Sequence, residues 1–345
     1  MPRSTISLTS EVSNFLNEYG FEFSVQIRSS FDVLLVTVPG SRQTRAILPL
    51  EIISGSSEEA GEKTELAWRS IEAVISQDGE YPLIVTRDRW NRQKDMMQKR
   101  ILAHLEVFSP IYARNCEIRR IDKAVAREFL DKAHSYGHAT CRYCYGMFLK
   151  RHTGHIAEGR SITGTQDDNG RSVHDRDMVS GRDIVPGTLV AVATFSNARK
   201  WLKGDRTVRS YEWTRYACLP QARISGGMGR LLKHFIKEVR PDDIMTYADL
   251  EWSEGDVYMR LGFTPEGRKD PVMFTIDEDW RRTAVRIGQR VATAPEELRN
   301  DIGETHDAKG LTTRGTQDVI TSGERQSYFR NFGSNKFRLK LTDYE

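Results

Sequence analysis

The chain has 345 residues, of which 29% are charged and 38% hydrophobic, and its formal net charge is +3. That length accommodates two domains of ~100–200 residues, and so small a charge does not by itself require a nucleic-acid partner. No window of ~18 apolar residues predicts a membrane span, and the first residues lack the apolar run of a secretory signal. Four cysteines do not make a disulfide framework, which favours a cytoplasmic protein without a membrane partner.

Residues 1–110 have the pattern of a small α/β domain. Three β-rich runs separated by Ser, Gly and Pro turns precede a helix, a strand and a second helix, whose apolar residues Met97, Ile101 and Leu105 share one face. We predict these elements at Phe21–Ile27, Val33–Val38, Arg45–Ile53, Glu62–Ser76, Tyr81–Thr86 and Asn91–Val107.

The end of this domain, IVTRDRW followed by KxxxxKRI, resembles very-short-patch-repair nuclease domains. Cleavage of that type needs carboxylates and a lysine, which organise Mg²⁺ and the attacking water. Asp32 and Glu51 supply carboxylates, but Ile53 stands where the lysine belongs, and Glu51 is equally well explained as a surface charge. We therefore interpret the domain as a non-cutting relic or a DNA-docking module.

A segment dense in potential metal ligands follows a predicted strand-like run, Ile111–Cys116, and a predicted amphipathic helix, Arg119–Ala133. Its residues His134, His138, Cys141 and Cys144 have spacing typical of zinc ligands. However, Cys141–Met147 alternates like a strand, which would place the two cysteines on opposite faces. The sequence therefore favours no metal at this segment.

Residues 151–187 lack any period and are rich in Gly, Asp, Arg and His, which predicts a long loop inserted between two strands. Nothing in the sequence decides between a substrate lid and solvent-exposed filler. The apolar run Gly187–Phe195 then predicts a buried central strand.

Five cations surround an indole between Asn197 and Arg209. Cations displace counterions from a phosphate backbone and an aromatic ring offers a stacking face, so the cluster predicts DNA contact. A solvated β-hairpin tip has the same composition and stays an alternative. The cluster consists of Arg199, Lys200, Trp201, Lys203, Arg206 and Arg209.

Residues 210–263 predict a strand, a glycine loop, a helix, a second strand and a second helix, in that order. The first strand covers 210–219, the polar loop Gln221–Gly229, and a helix runs from Arg230 until Pro241 stops it. Ile244–Leu250 and Glu254–Leu261 follow as strand and helix. A strand, a glycine loop and a helix N-terminus together predict an anion site, because free backbone N–H groups and the helix dipole favour negative charge there.

This stretch resembles the acyl-CoA-binding half of the GNAT acyltransferase superfamily. Within it, YEWTRYAC, GGMGRLLKHFIK, TYADLEWSEGDVYMRLGF and FLDKAHSYGH are most similar to Mom-type DNA-modification proteins of phages. The resemblance covers about residues 117–280 and implies that acetyl-CoA, or another acyl-CoA, is the cofactor. It implies that the strand ending at Cys218 pairs with the pantetheine arm, and that the pyrophosphate lies on Gly226, Gly227, Gly229 and Arg230. One departure is that Ile224 stands where Arg or Gln is usual, with Arg223 one residue early.

The resemblance also implies catalytic residues. Tyr258, directly before MRLGF, occupies the place of a tyrosine that protonates the departing coenzyme A thiolate, and a phenol of pKa ~10 suits that task. Independently of the resemblance, Asp249 ends a predicted strand, where a carboxylate can hold or deprotonate an amine, with an N-cap of the following helix as the alternative. His134 matches a histidine beside the acceptor pocket, with a surface or capping histidine as the alternative.

Alternation along the first strand predicts Glu212, Thr214, Tyr216 and Cys218 on one face and Trp213, Arg215 and Ala217 on the other. Glu212 and Arg215 are then candidates for lining the acceptor pocket, or for a structural ion pair. The basic cluster directly precedes this strand, so a nucleic acid bound there is expected to lie beside the acyl group.

Toward the C-terminus the patterns predict a basic helix at Asp277–Arg290, a linker at Ala294–Glu324 and a closing hairpin at Tyr328–Leu341 that turns at 333–335.

We therefore expect an α/β (α+β) protein with domains at 1–110 and 111–293, the second with the insertion 151–187, followed by a tail at 294–345. The leading hypothesis is an acyl-CoA-dependent transferase that modifies an amine on a DNA base, either the adenine amine or an aliphatic amine on a hypermodified pyrimidine. Such an acceptor has to leave the base stack. The alternatives are acetylation of a protein or small-molecule amine, and a non-catalytic DNA-binding protein.

Overall fold

The computed structural model of the chain describes residues 6–108, 110–151, 184–285 and 326–343. Within these ranges the chain is a mixed α+β protein, which confirms the predicted fold class. Most of the predicted insertion 151–187 and the whole predicted linker Ala294–Glu324 lie outside the described residues.

The N-terminal unit is a four-stranded sheet covered by helices. A helix that the sequence analysis did not predict comes first: Leu8, Val12, Phe15 and Leu16 form its buried stripe, and Ser7 caps its start. The sheet is antiparallel except for its last pair, which is parallel because a helix crosses over between those strands. The elements are α1 (Leu8–Glu18), β1 (Phe23–Arg28), β2 (Phe31–Thr37), β3 (Thr44–Leu50), α2 (Ser57–Asp78) and β4 (Leu83–Thr86).

The helix predicted at Asn91–Val107 is two helices, α3 (Arg87–Arg92) and α4 (Lys94–His104). The chain breaks between them at Gln93, whose φ of −125° is outside the helical region. Met97, Ile101 and Leu105 are buried on one side of α4, as the periodicity predicts. Of the buried side chains of α3, Arg87 and Trp90 bind Glu11 of α1, whereas Asp88 and Arg89 reach Arg282 and Ser135 in the second half of the chain.

The central sheet has the strand order β13-β17-β12-β10-β8-β7-β6, with β9 paired to β10. The pair β10–β12 is parallel, whereas the other strand pairs of this sheet are antiparallel. Beside it, β5 and β11 form a short parallel pair of their own. The strands are β5 (Pro110–Tyr112), β6 (Cys116–Arg120), β7 (Tyr143–Leu149), β8 (Leu189–Phe195), β9 (Arg199–Lys203), β10 (Arg206–Cys218), β11 (Arg223–Ser225), β12 (Asp243–Asp249), β13 (Thr264–Lys269) and β17 (Ser334–Lys340).

Helices pack on both faces of this sheet. On one face lies α5 (Lys123–Ala133), which is shorter than predicted because residues up to Arg120 belong to β6. On the other lies α6 (Gly227–Val239), whose Phe235 ring stacks on Phe195 at 3.8 Å. The strand between them, β8, is buried on both sides, so the predicted central strand is confirmed. The short helix α7 (Asp256–Arg260) follows β12.

A β-bulge in β10 changes which residues share a face. The register of β10 against β8 shifts between Trp213 and Arg215, which adds one residue to β10. Trp213 and Tyr216 therefore both pack in the core under α6, while Ala217 packs under α5. The predicted faces were wrong for Trp213, because uninterrupted alternation does not anticipate a bulge.

Two predictions for the C-terminal part are corrected. The described part of the predicted helix Asp277–Arg290 contains a turn and a strand, β15 (Arg282–Ala284), which pairs with β14 (Met273–Ile276). The predicted closing hairpin is also wrong, because β16 (Ser327–Arg330) pairs with β14 whereas β17 pairs with β12 and β13. Alternation identifies strands but not their partners.

The two halves of the chain share a core. Leu250, Ile276, Phe329 and Phe332 pack among the buried side chains of the N-terminal sheet and α2. The Tyr81 hydroxyl also donates to the Leu250 carbonyl. The turn that follows β12 is thereby held against the N-terminal unit. Within the described ranges no helix is long and apolar enough to cross a membrane.

Candidate active site at the parted strands

The parallel strands β10 and β12 separate along their length. They pair only from Ser210 to Glu212, opposite Asp243 to Met245. Beyond that point β10 pairs with β8 on its other side, and β12 pairs with β17. The facing edges of Trp213–Cys218 and Thr246–Asp249 thus leave their shared ladder, and we call the region between them, from Thr246 to its mouth at Cys218 and Asp249, the opening or wedge.

The N-terminus of α6 stands at the mouth of this opening. Its N-cap is Gly226, in the left-handed region at φ 76°, and no side chain caps the first turn. The first N–H groups of a helix have no intrahelical partner and carry a partial positive charge. The predicted elements are therefore present in the predicted order, but α6 begins at Gly227 and not at Arg230, so Gly227 and Gly229 lie in its first turn and not in the loop.

Packing explains part of the glycine pattern without any ligand. A Cβ at Gly227 would come within 2.8 Å of Ile224 Cγ2 and 2.9 Å of the Tyr216 hydroxyl, and one at Gly229 within 3.2 Å of Leu261 Cδ2. Arg230 turns away from the opening, because its guanidinium donates to the carbonyls of Ala113 and Cys116. Arg230 therefore anchors α6 to the turn after β5, and the pyrophosphate role implied for it has no support in this geometry.

Tyr258 lies at the Thr246 end of the opening. Its ring packs edge-on against Trp213 and Phe263. Its phenol interacts with the Thr246 side chain, whose hydroxyl donates to the Trp213 carbonyl at 3.2 Å. Thr246 is the first residue of β12 beyond the paired segment, so the phenol lies where the strands begin to part. Burial raises the pKa of Tyr258, which keeps the phenol protonated.

Asp249 lies at the mouth of the opening. Its carboxylate accepts the N–H of Glu251 at 2.9 Å, and the Tyr136 phenol lies close enough to interact with it. Burial, followed by the charge of Glu251, raises the pKa of Asp249 from 3.8 to about 6. At neutral pH the group is a carboxylate with unusually high proton affinity, which suits a general base.

His134 is held in its neutral form. Burial, followed by the charges of Arg215 and Arg89, lowers the pKa of His134 to about 3. Its Nδ1 accepts the N–H of Tyr136 at 3.1 Å, so the proton of the neutral ring is on Nε2. Such a ring donates a hydrogen bond and does not take up a proton, so this geometry favours a donor role for His134 over the role of a base.

Arg215 and Glu212 differ in placement. Arg215 donates through Nε to the Gly137 carbonyl at 3.1 Å, and so fixes the turn that carries Tyr136. Burial lowers the pKa of Arg215. Glu212 is the last residue of β10 that pairs with β12, and its N–H donates to Ser196 Oγ at 2.9 Å. Arg215 therefore lies at the mouth of the opening, close to Tyr136 and Asp249. Glu212 lies at the opposite end, in the last paired position of β10.

The N-terminal unit contributes residues that sequence reasoning missed. Arg100 of α4 lies with its guanidinium 3.9 Å from the centre of the Trp252 ring. Burial lowers the pKa of Arg100 to about 10, while the nearby Cys218 and Asp249 act in the opposite direction. Arg89 of α3 stacks on Tyr136 at 4.4 Å from the ring centre. In the sequence, Arg89 and Arg100 are recognisable only as arginines on the buried side of a helix. That position does not reveal that their partners are Tyr136 and Trp252.

The basic hairpin, which we define as Arg199–Arg209, is exposed but distant from Asp249. Arg199 of β9 lies opposite Ser210 of β10, which in turn lies opposite Asp243 of β12. Asp249 follows Asp243 by six residues along β12, so it lies six residues from the level of Arg199. At ~3.3 Å per residue the separation is about 20 Å at Arg199 and about 33 Å at Arg206. A nucleic acid on the hairpin alone would not lie beside Asp249, so that expectation is corrected.

Several hairpin side chains have partners within the fold. Arg206 and Arg209 form ion pairs with Asp242, at 3.0 and 3.6 Å, and the Trp201 indole donates to Ser210 Oγ at 2.8 Å. Lys200 and Lys203 are exposed, as is Arg199. The hairpin therefore keeps three solvated cations with which to attract a polyanion.

The candidate metal ligands do not converge. No three His, Cys, Asp or Glu side chains of the described ranges come together around a possible ion. The Cys141 and Cys144 sulfurs lie 3.4 Å apart, contrary to the predicted opposite faces, because Cys141 precedes β7 and is free of its alternation. In the N-terminal unit, the Glu51 carboxylate is held by Arg87 and by the Leu8 N–H.

No protein-family profile matches the chain, and no curated protein matches it either.

Proposed function

We propose that the protein is an acyl-CoA-dependent transferase whose acceptor is an amine on a DNA base. The observation that carries the proposal is the wedge between β10 and β12, with a glycine-led helix start at its mouth. Unpaired strand edges can hydrogen-bond an extended amide chain such as pantetheine, and the uncapped helix start suits its pyrophosphate. The resemblance to Mom-type proteins suggests the base amine.

The reaction divides between the two ends of the wedge. The amine nitrogen attacks the thioester carbon, the carbon–sulfur bond breaks, and the Tyr258 phenol gives its proton to the thiolate. Asp249 takes the proton that the amine loses. Asp249 follows Thr246 by three positions, or about 10 Å of strand. This distance leaves room for the thioester and the amine between the acid, Tyr258, and the base, Asp249.

Calorimetry with acetyl-CoA tests the donor. We expect binding by the wild type, and no binding would end every transferase hypothesis. The acceptor is tested by mass spectrometry of nucleosides from the DNA of cells that express the protein. A new acylated nucleoside is expected with the wild type, and Tyr258→Phe should reduce its formation about 10²–10⁴-fold with acetyl-CoA binding retained.

Tyr247→Phe is a matched control, because Tyr247 lies on the same strand but contacts Lys269. It should leave nucleoside formation unchanged.

One observation favours a second candidate, the acetylation of a small or protein-bound amine. The basic hairpin is about 20–33 Å from Asp249 along the sheet, so it does not direct DNA to the wedge by itself. If base masses stay unchanged while a protein or small amine gains acyl groups, the second candidate is correct and DNA modification is wrong.

A further inference from the structure

A cavity lies beside Tyr136, next to the mouth of the wedge, and we call it the junction pocket. It has a volume of about 440 Å³ and lies between α3, the 135–138 turn and the β14–β15 hairpin. Its lining includes Arg89, Arg92, Tyr136, Trp280 and Arg281. That volume falls within the range of small-molecule sites. The pocket is built from three segments distant in sequence.

The floor of the pocket consists of buried ion pairs. Arg282 is buried and donates to Asp88 at 2.5 Å and to Glu251. Arg89 has only 8% of its side chain exposed and donates through Nη1 to the Ser135 carbonyl at 2.6 Å. Arg89 Nη2 has no hydrogen-bond partner in the described part of the chain. A buried donor without a partner in a pocket wall indicates an acceptor that arrives with a ligand.

The rim carries cations that the fold holds only weakly. Arg92 donates to the Asp279 carbonyl at 3.3 Å, and Arg281 lies 3.6 Å from the Asp279 carboxylate with 59% of its side chain exposed. The two buried arginines of the pocket, Arg89 and Arg282, lie against the carboxylates of Asp88 and Glu251. The cations left to meet a ligand are therefore Arg92 and Arg281 at the entrance, where a phosphate can stay partly solvated.

Aromatic rings supply the other half of the chemistry. Tyr136 is 36% exposed, its ring is held from one side by Arg89, and its hydroxyl lies close enough to Asp249 to interact with it. Trp280 sits in the hairpin turn with φ 61°, a left-handed conformation that non-glycine residues rarely adopt. Rings positioned in this way offer faces on which a nucleobase can stack.

We infer that the junction pocket binds one nucleotide of single-stranded DNA, with its base against Tyr136 and Trp280 and its phosphate between Arg92 and Arg281. The link to catalysis rests on the proposed function, because Tyr136 is the wall that the pocket shares with Asp249. Nucleotide binding itself is measurable without any transfer reaction. The pocket also accounts for DNA recognition near Asp249, which the distant hairpin does not.

The test uses calorimetry of the full chain with dAMP, dCMP, dGMP and dTMP. A second arm measures the affinity of a ten-nucleotide single strand with and without abasic residues at its centre. We expect at least one mononucleotide to bind, and the abasic strand to bind about tenfold more weakly.

Trp280→Gly removes a ring that also packs against the N-terminal core, at a backbone position that glycine adopts freely, so circular dichroism and urea denaturation first verify that the variant is folded. It should weaken mononucleotide binding about tenfold. Arg92→Ala with Arg281→Ala should do the same. Arg42→Ala with Arg119→Ala removes the same charge at exposed positions outside the pocket and should leave the affinity unchanged.

The inference is overturned by no mononucleotide binding, by equal affinity for the intact and abasic strands, or by pocket variants that bind like their controls. Acetyl-CoA titrated into the same samples separates this inference from the proposed function. Nucleotide binding without acetyl-CoA binding rejects the transferase and keeps the pocket, and the reverse rejects the pocket alone. Competition between the two ligands would make the pocket a cofactor subsite and overturn the inference as well.

Discussion

The basic hairpin and the junction pocket are both rich in arginine, yet they have different physical designs. The hairpin cations lie within eleven residues of sequence and are largely exposed, and two of them, Arg206 and Arg209, pair with Asp242. The arginines of the junction pocket come from α3 and the β14–β15 hairpin, and the deepest of them are buried against carboxylates. The run of cations in the sequence of the basic hairpin therefore indicates an exposed surface. The cations of the junction pocket, which only the fold brings together, form a candidate site beside Asp249.

The largest difference between the two regions is expected in stability. Arg282→Ala leaves Asp88 and Glu251 buried without their partner, which should lower the free energy of unfolding by about 3–5 kcal/mol. Arg206→Ala in the hairpin removes a pair that is 47% exposed on the arginine side, and should cost about 1 kcal/mol or less. Urea denaturation measures both. Equal losses would contradict the expectation that a buried arginine contributes more to stability than an exposed one.

Asp249 offers a test by pH. Its folded-state pKa of about 6 exceeds the ordinary 3.8, so between those values the native state holds a proton that the unfolded chain has released. This group therefore lowers stability as the pH rises through that window. Asp249→Asn should gain stability relative to the wild type from pH 4 to pH 6, by on the order of 2 kcal/mol.

His134 acts in the opposite sense. Its folded-state pKa of about 3 lies below the ordinary 6.5, so its contribution to stability is lost as the pH falls below about 6.5. Comparing Asp249→Asn with the wild type at each pH cancels the histidine contribution. A difference that stays flat between pH 4 and pH 6 would contradict the raised pKa of Asp249.

A smaller effect is expected from the solvated hairpin cations. Replacing Arg199, Lys200 and Lys203 by Ala should weaken single-strand binding about tenfold at low salt. It should also reduce the magnitude of the slope of log affinity against log salt concentration by about 2, because each of the three lost phosphate contacts contributes ~0.7 to that slope. Fluorescence anisotropy with a labelled strand measures both. Mononucleotide affinity should not change, and if it does, the hairpin and the junction pocket are one site.

The smallest effect is expected at Trp201. Its indole donates to Ser210 within the hairpin, and Trp201 is 37% exposed. Trp201→Phe keeps a ring at this position, so the single-strand affinity should change by about twofold or less, against about tenfold for Trp280→Gly. A loss at Trp201 as large as that at Trp280 would place base stacking on the hairpin.

Much of the candidate site was predictable because its signals are local. Glycine spacing before an apolar helical period predicts the start of α6, and the helix that follows β12 places Tyr258. Asp249 was predicted from its position at a strand end. These inferences need only the orientation of residues within one element and the order of the elements along the chain.

The tertiary structure decided how these parts meet. Periodicity describes which way a side chain points but not which strand is its neighbour, so the parting of β10 from β12 and the pairing of β17 were not predictable. The bulge in β10 reverses a face through one extra residue. Arg89, Tyr136 and Asp249 are far apart in sequence, and only the packing of the N-terminal unit against the turn after β12 brings them together. Burial in that junction, rather than any local pattern, raises the proton affinity of Asp249 and holds His134 neutral.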